Sequence, residues 1–223
     1  MFMSATRRTL LVLSVCIIAS FPVRAQSSHP GFDRTMSHVD LGLSAPIEYT
    51  QTTSGSYGPY VVNNQQVSTA SGVLAALRYT RSPLVGFEMN FKFTRFAQNY
   101  TYTPYSVITP QTLGVATTNK EISWGYVAHM PHSFHGVTPY GSAGLGTFEL
   151  KPTANGGEGL QRQFRALYYW GLGADAPILD SHFGLRFQVR QLFYKAPDFG
   201  QNYLTSGART TTFEPCIGFF ARF

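Results

Sequence analysis

The segment from Leu84 to Phe96 alternates without a break: Val85, Phe87, Met89, Phe91 and Phe93 are separated one by one by Gly86, Glu88, Asn90, Lys92 and Thr94. A period of two belongs to an extended strand, whose successive side chains point to opposite faces, so one face is apolar and the other polar. His38 to Ala45 repeats the pattern, with Val39, Leu41, Leu43 and Ala45 opposed to His38, Asp40, Gly42 and Ser44. Further strands are predicted over Gly72 to Tyr79, Glu121 to Met130, Val137 to Phe148, Arg165 to Ala176, His182 to Tyr194 and Thr210 to Phe223. In the fifth strand, Val137 to Phe148, Gly141, Gly144 and Gly146 blur the alternation. The chain therefore reads as all-β, with eight strands.

The links between these strands alternate in length. Those near Arg81 to Pro83, Pro131 to Gly136 and Pro177 to Ser181 are short, whereas "YTQTTSGSYGPYVVNNQQVSTAS" and "NGGEGLQRQ" belong to long links rich in turn-forming residues. An up-and-down arrangement places all short links at one end and all long ones at the other. Alternation by itself leaves open whether the apolar face lines a cavity or meets lipid. The polar face carries many glycines and charges of both signs, as a narrow, crowded lumen requires. The apolar face carries Trp124, Tyr126, Tyr168, Trp170 and many phenylalanines, as a lipid-facing wall with interfacial aromatics does. Charged residues make up only 13% of the chain and aromatics 15%, against roughly 25% charged in soluble domains. Lipid outside and polar groups inside is the assignment that fits.

Residues 1–25 have the form of a secretory signal: Arg7 and Arg8, an apolar stretch from Leu10 to Phe21, and "VRA" before a cut after Ala25. The apolar stretch is shorter than the roughly 20 residues a spanning helix needs. A lipoprotein signal at Cys16 is the rival, disfavoured by Val15 where such signals resemble one another in a small residue. Residues 26–37 form a short polar lead and 38–223 the barrel domain. Removing Arg7, Arg8 and Arg24 with the signal leaves 14 basic against 11 acidic residues, an ordinary balance that argues against nucleic-acid binding. Cys216 then remains as the one cysteine, which excludes an internal disulfide and a thiolate metal site.

The signal, the eight alternating strands, the unequal ends and "GFFARF" with its terminal Phe223 together resemble the small outer-membrane β-barrels of diderm bacteria, of OmpA/OmpX type. The resemblance implies an eight-stranded antiparallel up-and-down transmembrane barrel with short periplasmic turns and long extracellular loops. It implies export by the general secretory route, handling by periplasmic chaperones and the barrel-assembly machinery, and contact with outer-membrane lipid and lipopolysaccharide. Phe223, Phe219, Ile217 and Pro215 match the C-terminal assembly signal of that family, and Ala221 departs from it. A monomer is expected.

Candidate chemistry is sparse. "HMPHSFHG" brings His129, His132 and His135 together without a cysteine or carboxylate, and reads as a polar turn rather than a metal site. Outer-membrane lipid A deacylases use a chemistry resembling a His/Ser/Glu triad on such a barrel, but His132 and Ser133 are adjacent and would face opposite ways. Every histidine of the strand region falls at the short-link end, so no cofactor, metal or catalytic set is expected. Asp40, Arg78, Glu88, Lys92, Arg186, Arg190 and Glu214 share the polar face and are expected to pair into a lumenal plug rather than an ion path. Centring the last hairpin on residue 202 sets Arg190 opposite Glu214, and loss of Glu214 should then strand a buried guanidinium. Centring the fourth-to-fifth hairpin on its link sets Tyr126 opposite Gly141 and Trp124 opposite Ala143. The expected function is non-enzymatic, envelope-structural or surface-interacting through the loops. A narrow solute channel and a lipid-modifying enzyme are the alternatives.

Overall fold

The computed structural model describes residues 38–223 apart from 59, 83, 105–108, 155, 158, 180 and 181. The proposed signal and polar lead, residues 1–37, lie outside the described residues. Ten strands are formed: β1 Val39–Thr50, β2 Thr53–Tyr57, β3 Tyr60–Val67, β4 Ala70–Tyr79, β5 Val85–Pro104, β6 Gln111–His129, β7 Thr138–Pro152, β8 Gln163–Leu179, β9 Phe183–Lys195 and β10 Arg209–Arg222. All pairings are antiparallel. β10 closes onto β1 and β5 pairs with β6, so the sheet has no free edge in the barrel wall. Closure satisfies the backbone donors and acceptors that an open sheet would leave bare.

The ten strands make eight staves. β3 and β4 both pair with β5, over Tyr60–Val67 and Gly72–Tyr79 respectively. Only a short break at Ser68 and Thr69 separates them, bridged by Ser68 N to Ala97 O at 2.9 Å. β1 and β2 form the neighbouring interrupted stave. The first long link is therefore largely strand, an extension of the first hairpin beyond the closed barrel, and corrects the expectation of a loop there. The loop expected after the third strand is largely strand as well, because the β5–β6 ladder continues to Tyr102 opposite Gln111. These extensions were invisible to hydrophobic alternation because their outward positions, such as Asn99 and Thr101, are polar. Their threonines and tyrosines keep β propensity without an apolar outer face.

Outside, the wall is apolar: Leu43, Phe87, Ile122, Trp124, Tyr168 and Phe219 are all exposed. Inside, glycines make room for large polar or aromatic side chains. A Cβ on Gly144 would lie 2.7 Å from the ring of Tyr169, and one on Gly173 would lie 2.3 Å from that of Tyr140. The glycine-rich face of β7 and β8 is thus the complement of a crowded interior, not a weak strand.

Two registers fix the side-chain geometry. β10 pairs with β9 so that Glu214 faces Arg190, Pro215 faces Val189 and Ile217 faces Phe187, the alignment obtained by centring the hairpin on residue 202. The β6–β7 register is displaced by two from the expected one: Tyr126 faces Ala143, Trp124 faces Leu145 and Ala128 faces Gly141. The hairpin closes not at the middle of its link but around His135 and Gly136, whose φ values of 51° and 81° build a two-residue turn between Phe134 and Val137. Tyr126 still covers a small neighbour, in Ala143 rather than Gly141.

Candidate functional site: the barrel interior

All seven charged residues expected on the inner face are buried there, and the barrel divides them between two networks. At the short-turn end, Arg78 binds Glu88, with Nη2 to Oε2 at 2.5 Å and Nε to the same oxygen at 3.1 Å. It also reaches Asp175 at 3.3 Å. Arg186 grips Asp175 with two bonds, Nε to Oδ1 at 2.8 Å and Nη2 to Oδ2 at 2.9 Å, and donates to Asp40 at 3.1 Å. The rings of Tyr140 and Phe220 lie 4.3 Å and 5.1 Å from Arg78 and Arg186 respectively, giving each cation an aromatic face.

One layer further in, Lys92 and Arg190 are surrounded by three carboxylates. Lys92 Nζ lies 2.5 Å from Glu48, 3.0 Å from Glu121 and in direct contact with Glu214. Arg190 donates to Glu214 at 2.9 Å and also to Glu121. Glu121 accepts from Ser123 at 2.7 Å, and Glu48 from Thr94 at 3.2 Å. Asn90 joins the two layers, donating to Glu88 at 2.9 Å and to the Tyr169 hydroxyl at 3.3 Å. Such charges survive burial because each meets at least one opposite partner, and most of them two or more, in fixed positions.

Sequence reasoning identified the Arg190–Glu214 contact but not Glu48, Glu121 or Asp175 as members. Their inward phase was legible, since Glu121 alternates with Ile122 and Asp175 with Ala174. Glu48 lies beyond the expected end of the first strand, and only its strand assignment reveals that it faces Lys92. Glu121 changes the expected consequence of losing Glu214, because Arg190 would keep a second carboxylate.

Towards the long-link end the interior becomes apolar. Val62, Phe96, Tyr100, Val115, Phe148, Leu150, Leu167, Leu192 and Tyr194 form a core that Phe199 and Leu204 enter from the 196–208 link. This link, with a short 3-10 turn at Asn202–Leu204, folds into the mouth instead of standing away from it. The Pro197 carbonyl accepts from the Tyr100 hydroxyl at 2.9 Å and from Gln65 Nε2 at 3.1 Å. Asp198 accepts from Gln163, from Gly200 N at 3.1 Å and pairs with Arg165 at 3.1 Å. Burial alone would raise the Asp198 carboxyl. The Gln163 amide, the Gly200 N–H and the Arg165 and Lys195 cations outweigh it and hold the pKa below the usual value.

The histidines do not assemble a site. His132 and His135 are exposed in the short turn. His129 turns inward, its Nε2 3.4 Å from Arg78 Nη1. It helps line a hollow of about 360 Å3 at the short-turn mouth together with Asp175, Phe220 and Arg222. Among the described residues no group of three metal-ligating side chains is found. Cys216 is buried between the strands, its sulfur 3.7 Å from Glu214 Oε1. Of the C-terminal residues, Ile217, Phe219 and Phe223 face outward, Pro215 is half-buried in the same row, and Phe223 N is tied to Val39 O at 3.0 Å.

No protein-family model matches the chain, and no curated protein matches its sequence. Solved structures match its fold. The outer membrane protein OprG from Pseudomonas aeruginosa is 14% identical, with a TM-score of 0.58 over 83% of this chain and 95% of that one. Neisserial surface protein A (NspA) is 12% identical, with a TM-score of 0.53 over 83% of this chain and 97% of that one. The fold is that of the small eight-stranded outer-membrane β-barrels: all-β, closed and antiparallel.

Proposed function

We propose that the protein resides in the outer membrane as a non-conducting, non-enzymatic barrel that stabilises the envelope or presents its long-link end to other surfaces. The observation that carries this reading is the filling of the interior beyond the hollow at the short-turn mouth. Two ionic layers occupy its lower half, and an apolar core capped by the 196–208 link occupies its upper half. Eight strands enclose a bore about filled by side chains, so no aqueous path remains without breaking the networks. The exposed apolar wall supports residence in lipid, since such a surface would be costly in water.

Purified barrel inserted into a planar bilayer should show no steady unit conductance at moderate voltage. A stable, concentration-independent single-channel step would replace the plug with the narrow-channel reading. Biogenesis through periplasmic chaperones and the barrel-assembly machinery belongs to the same proposal, with Phe223, Phe219, Ile217 and Pro215 as its recognition signal. Deleting Phe223 should leave chain unassembled in the periplasm. Undiminished heat-modifiable barrel in the outer-membrane fraction would reject that role.

A further inference from the structure

The outer wall changes character abruptly on one side of the barrel. Phe91 and Ile122 are partners in an apolar row. One row towards the long-link end, Val73, Phe93, Lys120, Glu149 and Phe164 follow one another across β4 to β8. In the row beyond, Arg95, Thr118 and Lys151 are consecutive partners. Arg95 and Lys151 therefore flank Lys120 diagonally, within the distance at which long side chains on one sheet face can act on one ligand. Arg162 adds a fourth cation, held at 3.2 Å by Glu149.

Two further observations give this patch a specific ligand chemistry. Glu149, which faces Lys120 in register and pairs with Arg162, is the one carboxylate in the patch among the described residues and leaves it net positive; Asp40, Glu48, Glu88, Glu121, Asp175 and Glu214 are all buried in the interior. Among the described residues no carboxylate lies within ion-pair distance of Arg95, Lys120 or Lys151. The cations also border an apolar groove of about 380 Å3 whose lining includes Phe93, Ile122 and Phe164. Arg95 and Arg162 lean over the groove's own rings, 5.8 Å from Phe93 and 5.2 Å from Phe164. Positive charge is thereby placed at the upper edge of an acyl-sized furrow, where the lipid-facing wall gives way to polar strand.

We propose that the outer face of β5 to β8 binds lipid A, the phosphorylated and multiply acylated disaccharide lipid of the outer leaflet. A phosphate sits among Lys120, Lys151 and Arg95, and an acyl chain lies in the groove against Phe93, Ile122 and Phe164. Clustered Lys and Arg at a membrane surface recognise phosphate headgroups, and the groove selects for a chain attached directly below. This inference rests on the outer-membrane reading above and gives it a particular lipid on a particular wall.

Native mass spectrometry of the full-length, detergent-folded barrel tests it, with lipid A, dephosphorylated lipid A and phosphatidylglycerol offered separately. Lipid A should be retained, the dephosphorylated form should be lost and phosphatidylglycerol should be held more weakly. Lys120→Ala with Lys151→Ala should weaken retention by about tenfold or more, at roughly one strong charge contact each. The exposed Lys195 and Arg209, facing each other on β9 and β10, are the control: their double alanine variant should retain lipid A as the unaltered protein does. Equal retention of phosphatidylglycerol, indifference to the phosphates, or equal loss in the control would overturn the site. The dephosphorylated-lipid comparison requires no substitution and so does not depend on any variant folding. A chain that fractionates with the outer membrane yet shows no lipid A preference refutes this inference alone, whereas one recovered as a soluble protein refutes the membrane reading itself.

Discussion

The two halves of the barrel interior solve the same packing problem by opposite means. In the short-turn half, Arg78, Arg186, Lys92 and Arg190 are held by carboxylates whose positions are set atom by atom, with Tyr140 and Tyr169 fitted over glycines between them. In the long-link half, Phe148, Leu192, Phe199 and Leu204 fill volume with no directional requirement. An ionic layer tolerates little loss, because removing one member leaves a desolvated charge. An apolar layer loses transfer energy and gains a cavity, and a link outside the sheet can settle to reduce that cavity. The comparison teaches that the lower half specifies the register of the staves while the upper half closes the mouth.

The sharpest test sets the members of the second network against each other. Ionised, it holds two cations, Lys92 and Arg190, against three carboxylates, Glu48, Glu121 and Glu214. Arg190→Ala leaves three carboxylates around one lysine and should cost about 3–5 kcal/mol. Glu214→Ala balances the charges, leaves Arg190 on Glu121, and should cost distinctly less. Urea unfolding of both single variants and the double variant in liposomes reads the difference and their coupling. Equal losses, or strict additivity, would break the view of the lower half as one network.

Leu204→Ala tests the upper half. Leu204 is fully buried but sits on the 3-10 turn of the 196–208 link, so the expected loss is about 2–3 kcal/mol, the low end for a buried leucine whose surroundings can collapse. Stability measured beside Arg190→Ala decides between the two halves: a larger cost for Leu204 would invert the comparison.

The smallest effect concerns the tie that holds the link down. The Asp198 pKa is lowered on folding, so its contribution is present above the unfolded carboxyl value of about 3.9 and fades as the pH falls through the folded value. Because Asp198 is partly exposed, the effect stays below about 1 kcal/mol. Backbone NMR shifts of residues 196–208 should change on acidification below pH 4 in the unaltered protein. Asp198→Asn should remove that titration, and a persistent one would assign the tie to another group.

Much of the architecture was readable in the chain because lipid outside and a filled lumen inside impose strict alternation. Val85 to Phe93 and Phe213 to Phe223 declare both their strand state and which side faces lipid, and the link centred on residue 202 sets Arg190 against Glu214. Alternation fails where that constraint ends. Past Phe96 and before Glu121 outward positions such as Asn99 and Thr101 are polar while Tyr100 and Val115 point into the core, so the strand extensions carry no outward apolar signal. The β6–β7 register was missed for a local reason, since a two-residue turn at His135 and Gly136 is chosen by backbone φ rather than by the midpoint of the link.

The sequence by itself determined the phase of each stave, and hence that Asp40, Glu88, Lys92 and Arg190 go inside while Phe87, Trp124 and Phe219 go outside, because a period of two admits only two assignments and only one keeps charge out of lipid. Beyond the Arg190–Glu214 pair, tertiary structure decided which inward charges meet. Lys92 on β5 faces Glu121 across the β5–β6 ladder, and only barrel closure brings Glu48 on β1 and Glu214 on β10 onto the same lysine. It also decided that the 196–208 link turns inward, since Phe199 and Leu204 find a place only once eight staves have enclosed an apolar space for them.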